Sequence, residues 1–247
     1  MIDRGVDASH DVFHDSKIRL HGCNDQPKPD PHGTAVASLI AGQARQFHGA
    51  APGAEIYAAD VFCGAVRGGS VDLIADAFAW LVAEEVPIIN VSLVGPRNTM
   101  IEHVVKAVLA RGHVIVAAVG NDGPAAPALF PASYDGVIGV TGVDAHRQVL
   151  IEAGRGTQVD FAAPGAEMAA AIPGQNFGSV RGTSFASPIV TGLLAAQMAG
   201  VAKSTPDGAI TALIGQAIDL GAAGRDVVYG DGLVGEALRI DVSAAAQ

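Results

Sequence analysis

The sequence predicts an α/β fold: a mainly parallel central sheet with helices on both faces. Two observations carry this. Four short runs, EIYAADVF (55–62), PIINVSL (87–93), HVIVAAV (113–119) and GVIGVTGV (136–143), are rich in β-branched residues and bounded by Gly, Pro or Asn. Runs of that kind fit strands buried on both faces of a parallel sheet. Amphipathic stretches of helical length lie between them, and this alternation closes into a parallel sheet with its crossovers on the faces. The 31 glycines fit the many tight turns such a sheet needs.

The helices follow from their own signals. SVDLIADAFAWLVAEE (70–85) opens on a serine cap and keeps Leu73, Ala77, Trp80 and Leu81 near one face. TMIEHVVKAVLARG (99–112) carries a similar stripe and ends in Arg-Gly, a C-terminal signal. No low-complexity linker and no repeat interrupts the chain, so residues 1–247 are expected to form a single domain.

Bulk properties exclude several classes of function. With 49% hydrophobic and 16% charged residues, the chain is not a disordered one. A net charge of −10 argues against nucleic acid or an anionic membrane as partner. The run IVTGLLAAQMAGVA is broken by Gln197, and no segment reaches the roughly 18 apolar residues of a membrane span. Cys23 and Cys63 either pair or remain two thiols, and no zinc-type spacing involves them. The opening MIDRGVD is neither a signal peptide nor a propeptide. The compartment stays open: secreted if a presequence is removed, cytoplasmic otherwise.

In open parallel sheets, ligands bind at the carboxyl ends of the strands. Polar residues at such ends are Asp3 after MI, Ser92 in NVSLVG and Asn121 after VIVAAVG. Two more open helices: His32 in DPHGTAVASLIAG and Ser184 in RGTSFASPIVTG. Asp3, Asn121, His32 and Ser184 each have an ordinary reading, as a turn acid, a turn residue in GNDG, a loop histidine and a helix cap. Together they are the parts of a serine acyl-transfer site. Rival chemistries are weaker. HDVFH (10–14) spaces two histidines as metal sites do, but it lacks the glutamate of HExxH and reads as an exposed loop. Neither GxSxG nor a GxGxxG after a strand is present.

These motifs resemble those of the subtilisin-like serine proteases, the subtilase or peptidase S8 family. MIDRGVD matches the aspartate motif, HGTAVASLIAG the histidine motif, VAAVGNDGP the oxyanion-asparagine motif and RGTSFASPIVTG the serine motif, in the family's order. The segments GAAPGAEIYAADVF, INVSLVGP, FPASYDGVIGVTGVD, DFAAPG and DLGAAGRDVVYGDGLV match as well, so the resemblance spans almost the whole chain. It implies the subtilisin-like three-layer fold and a serine endopeptidase. Asp3, His32 and Ser184 would be its triad and Asn121 its oxyanion donor. It also implies a substrate cleft. Leu93, Val94 and Gly95, with Ser92 before them, would face Ala118, Val119 and Gly120 as the walls of the S1 pocket. Leu129 would fall near its floor, which favours small or medium apolar P1 residues. Asp122 at the rim would instead assist a basic one. Gly68, Gly69 and Ser70 resemble the edge strand that pairs with substrate backbone.

The sequence departs from the family pattern at several points. Arg4 stands where Ser or Thr usually follows the aspartate, and it is expected to point to solvent. Phe185 follows the nucleophile where Met is common, which predicts tolerance to mild peroxide. QARQFHGAAPG lacks the acidic or Asn-rich loop that often binds calcium. No calcium is expected there, structural calcium elsewhere stays open, and catalysis needs no cofactor. The expected partners are a peptide or protein substrate and a propeptide or inhibitor, on a monomer. General proteolysis leads; a dedicated leader-processing protease and a catalytically silent binding module are the alternatives.

Overall fold

The computed structural model describes residues 1–23, 27–65, 69–199 and 205–245. Eleven strands lie among these residues: β1 (Ile2–Asp3), β2 (Ile18–His21), β3 (Gln43–Ala44), β4 (Phe47–His48), β5 (Ile56–Asp60), β6 (Ile88–Val91), β7 (Val114–Ala118), β8 (Ile138–Val143), β9 (Phe161–Pro164), β10 (Ala166–Ile172) and β11 (Asn176–Arg181). The α-helices are α1 (Pro31–Ala41), α2 (Val71–Ala83), α3 (Thr99–Leu109), α4 (Thr183–Ala199), α5 (Pro206–Ile214) and α6 (Val242–Ala245). Seven strands make one sheet in the order β2-β5-β1-β6-β7-β8-β9. Every pairing in it is parallel. The α/β prediction therefore holds, and each of the four expected strands falls inside its predicted run.

The two-residue period of a strand divides the core into two layers. On β7, Val114 and Val116 join Val36, Leu39, Ile189 and Leu194 of α1 and α4. The alternate residues Ile115 and Ala117 join Phe78, Leu81 and Val105 of α2 and α3. Full burial of a side chain such as Phe78 stabilises the fold by roughly 1.5–3 kcal/mol. On α2 the buried face is Ala77, Phe78 and Leu81. Leu73 and Trp80, expected on that stripe, are only half-buried. Trp80 lies to one side, stacked on His21 with ring centroids 4.6 Å apart.

Outside the sheet, β10 and β11 form an antiparallel hairpin. Cys23 and Cys63, left open by the sequence, form a disulfide. It joins the segments that follow β2 and β5, which are neighbours in the sheet. His10 is not the exposed loop residue expected. It is 4% exposed. Its Nδ1 accepts from the Val12 N–H, and its Nε2 meets the Asn176 carbonyl at 3.1 Å. Both ring nitrogens are thus engaged in local structure. His14 is exposed and beside Asp15.

Candidate active site

The site lies at the carboxyl ends of β1, β6 and β7. Asp3 ends β1 at the middle of the sheet and is 1% exposed. Its Oδ1 accepts from the Arg4 N–H at 2.6 Å and lies 2.7 Å from His32 Nδ1. A carboxylate can only accept here, so Nδ1 carries the proton and Nε2 is left as the basic nitrogen. His32 reaches Asp3 because α1 starts close against β1. Asp30 caps α1 by accepting from the His32 N–H. A Cβ on Gly33 would stand only 2.2 Å from the Arg4 carbonyl oxygen, so this approach requires glycine. Burial pulls the His32 pKa down, but the charge and hydrogen bond of Asp3 outweigh it and leave it above the ordinary value. Asp30 adds to the rise and Arg4 opposes it.

Ser184 is half-buried in the first turn of α4, where backbone N–H groups have no helical acceptor. Its hydroxyl donates to the Ser92 carbonyl at 3.4 Å. Asn121 is exposed, and its Oδ1 accepts from the Thr183 N–H at 3.0 Å. That bond fixes the carboxamide, because only its oxygen can accept, and turns Nδ2 away from Thr183. The Thr183 hydroxyl accepts in return from the Gly120 N–H at 3.2 Å. The loop after β7 and the start of α4 are thereby clamped together. Gly182 has a φ of +138°, and a Cβ on it would lie 3.3 Å from Asn121 Nδ2. The arrangement offers a hydroxyl at a helix start, a histidine oriented by a buried carboxylate, and a carboxamide bound through its oxygen to Thr183, the residue before that hydroxyl.

The family model of peptidase S8, the subtilase family, matches residues 1–232. The chain belongs to the subtilase family. Subtilisin from Bacillus pumilus is 30% identical over 256 residues, covering 100% of this chain and 90% of that protein. Subtilisin E from Bacillus subtilis (strain 168) is 31% identical over 204 residues, covering 79% of this chain. The match spans about half, 53%, of the length of subtilisin E. Among solved structures, the prenylagaramide maturation protease PagA superposes with a TM-score of 0.82 at 25% identity, covering 96% of this chain and 91% of that one. The protease domain of PatA, solved as a serine-to-alanine mutant, also gives 0.82, at 24% identity over 96% of this chain and 92% of that one.

Other site expectations of this subtilase need correction. Arg4 does not point to solvent. Its guanidinium lies 4.0 Å over the Phe62 ring, donates to the Ala65 carbonyl at 3.1 Å and sits 3.8 Å from the Asp30 carboxylate. A ring face, a carbonyl and an acid hold it better than water does. No hydroxyl is supplied to Asp3 at this position, and Asp3 Oδ2 is buried with no hydrogen-bond partner among the described residues. Ser92 is 5% exposed, and its hydroxyl turns inward to Ser187 and the Ser184 carbonyl rather than toward substrate. Gly69 and Ser70 form no strand. The Ser70 hydroxyl instead caps α2 by accepting from the Leu73 N–H. Gly68 lies outside the described residues.

The remaining cleft residues cluster. Leu93, Val94 and Gly95 follow β6, and Gly95 pairs with Phe130 through two backbone hydrogen bonds of 2.9 Å. Val94 is exposed. Ala118 and Val119 are buried behind Gly120. Leu129 fills the space beside Gly120: its Cδ1 would be 2.5 Å from a Cβ there. Asp122 is exposed next to Asn121. Beyond the Leu93–Gly95 segment lies an apolar cavity of about 250 Å³, walled by Phe62, Ile74, Phe78, Leu93, Phe130 and Tyr134. Sequence reading missed this cavity, because its walls are brought together from segments far apart in the chain, around Phe62, Ile74, Leu93 and Phe130. It also missed Thr183, whose only signal was its place beside Ser184.

Proposed function

We propose that this subtilase is a serine endopeptidase, with residues 1–247 acting as one peptidase domain. The Ser184 hydroxyl leaves the Ser92 carbonyl and turns to His32 Nε2, which takes its proton as Oγ attacks the scissile carbonyl carbon. Asp3 holds the imidazole in the Nδ1–H tautomer and stabilises the imidazolium. Asn121 Nδ2 and the Ser184 N–H donate to the oxyanion. Imidazolium then gives its proton to the leaving amine, and water hydrolyses the acyl-enzyme by the same route. The observation that carries this reading is the 2.7 Å contact of a buried Asp3 carboxylate with His32 Nδ1, with the His32 ring 5.1 Å from that of Phe185, the residue after Ser184. All of this chemistry uses side chains and backbone, without a cofactor.

The apolar cavity beside Leu93 supports recognition of an apolar side chain upstream of the scissile bond, and Leu129 supports a small or medium P1 residue. A dedicated maturation protease is the second reading, favoured by the likeness to PagA, which is described as a maturation protease. A fluorophosphonate probe tests the mechanism. Wild type is expected to label at Ser184, with labelling abolished in Ser184→Ala and His32→Ala. A well-folded wild type that does not label would favour the silent binding module. Casein degradation compared with a peptide panel separates general proteolysis from processing.

A further inference from the structure

We infer that Ser92 is a positioning residue for the nucleophile, replacing a hydrogen bond that Pro188 removes from the catalytic helix. The inference rests on the serine-peptidase reading. In an α-helix the carbonyl of residue 184 accepts from the N–H of residue 188. Residue 188 is Pro, the proline inside α4. It has no N–H, and its ring crowds the carbonyl four residues earlier, which is that of Ser184. A carbonyl stripped of its partner in the interior costs about 1–3 kcal/mol if nothing replaces it.

Ser92 supplies the replacement. Its hydroxyl donates to the Ser184 carbonyl at 3.0 Å. The direction of this bond is fixed, because a carbonyl can only accept. Having given its one proton, Ser92 Oγ accepts from Asn90 Nδ2 at 2.9 Å and from Ser187 Oγ at 3.0 Å. One proton given and two accepted is the full capacity of a hydroxyl. The Thr191 hydroxyl holds Asn90 in turn, 3.0 Å from its Oδ1. Asn90, Ser92, Ser187 and Thr191 are each at most 5% exposed, so water does not compete. Parity places the network here: Ile88 joins the core beside α1 and α4, and Asn90 and Ser92 alternate with it along the chain. Ser184 Oγ meets the Ser92 carbonyl from the other side. Ser92 thus grips Ser184 by backbone and by side chain, and fixes where the hydroxyl starts its turn toward His32.

A double-mutant cycle on the full chain tests this. Saturating turnover of a peptide ester, the fluorophosphonate labelling rate and the thermal midpoint are measured for wild type, Ser92→Ala, Pro188→Ala and the double variant. Pro188→Ala restores an N–H to the Ser184 carbonyl. Ser92→Ala is expected to lower kcat about tenfold with KM little changed, the worth of one hydrogen bond. In the Pro188→Ala background the same change is expected to cost less than about twofold. An equal loss in both backgrounds, or a loss carried by KM, overturns the inference. Should Ser92→Ala not fold, Ser92→Cys replaces it in the cycle, with a weak donor of similar shape and the same criterion. A wild type that does not label with the probe refutes the peptidase reading itself, and the inference with it.

Discussion

The Arg4 guanidinium lies 4.0 Å over the ring of Phe62, although Arg4 is next to Asp3 in sequence. The charge nevertheless reaches His32, where it opposes the effect of Asp30. In the proposed mechanism the base is neutral His32, so the acid limb of kcat/KM follows the His32 pKa. Arg4→Gln removes a charge that lowers this pKa, and the acid limb is expected to move to higher pH. Asp30→Asn removes a charge that raises it, keeps the cap on the His32 N–H, and is expected to move the limb to lower pH. Two pH profiles decide the matter, and shifts of the same sign would refute the charge argument.

Asn121 Oδ1 caps α4 at Thr183, and in the proposed mechanism Nδ2 donates to the oxyanion. Asn121→Asp keeps the acceptor and replaces the donor with negative charge. Turnover is expected to fall on the order of 10²–10³, the magnitude established for the oxyanion asparagine of subtilisin itself. The thermal midpoint should hold, whereas Asn121→Ala should lose both the cap and the rate. Equal melting losses in the two variants would show that the cap argument is wrong.

Leu129 occupies the space beside Gly120. Leu129→Gly is expected to move preference from small or medium apolar P1 residues toward aromatic ones. A P1 series of peptide anilides reads this directly. Unchanged ranking after the substitution, or an aromatic preference in wild type, contradicts it.

The disulfide closes a sequence separation of 40 residues. Chain entropy for a loop of that length predicts about 4 kcal/mol of stabilisation. The Cys23→Ser/Cys63→Ser variant is expected to melt at a clearly lower temperature than wild type. Reductant should lower the wild-type midpoint toward that of the variant. A midpoint unmoved by either treatment would mean that the reduced state keeps the two segments in place by packing alone.

Strands β5 to β8 were legible because they are buried along nearly their whole length and largely apolar, as Val114–Ala118 is, whereas β2, Ile18–His21, is partly exposed and carried no such run. The hairpin was also less legible. β10 reads Ala-Glu-Met-Ala-Ala-Ala-Ile, a string of good helix formers held extended by pairing with β11 and packing on α1. Asp3, His32, Asn121 and Ser184 stood out because each sits in a motif at an element end. The surroundings of Arg4 did not, since a cation's resting place depends on Phe62, Ala65 and Asp30, all distant in sequence. His10 gave a misleading signal. Its polarity suggested exposure, but the fold covers it with Phe13 and Phe177. Ser92 was noticed for its neighbours in the cleft, while its inward hydroxyl is set by strand parity and by Pro188.

Asp3 lies on the strand inserted between β5 and β6, and the helix of Ser184 follows nearly all the others. Along the chain, Asp3 comes well before Ser184. The first strand must wait for two later ones before it has a partner on either side, which makes closure of the sheet a long-range event. The place of Asp3 beside His32 is therefore completed only once β5 and β6 lie on either side of β1.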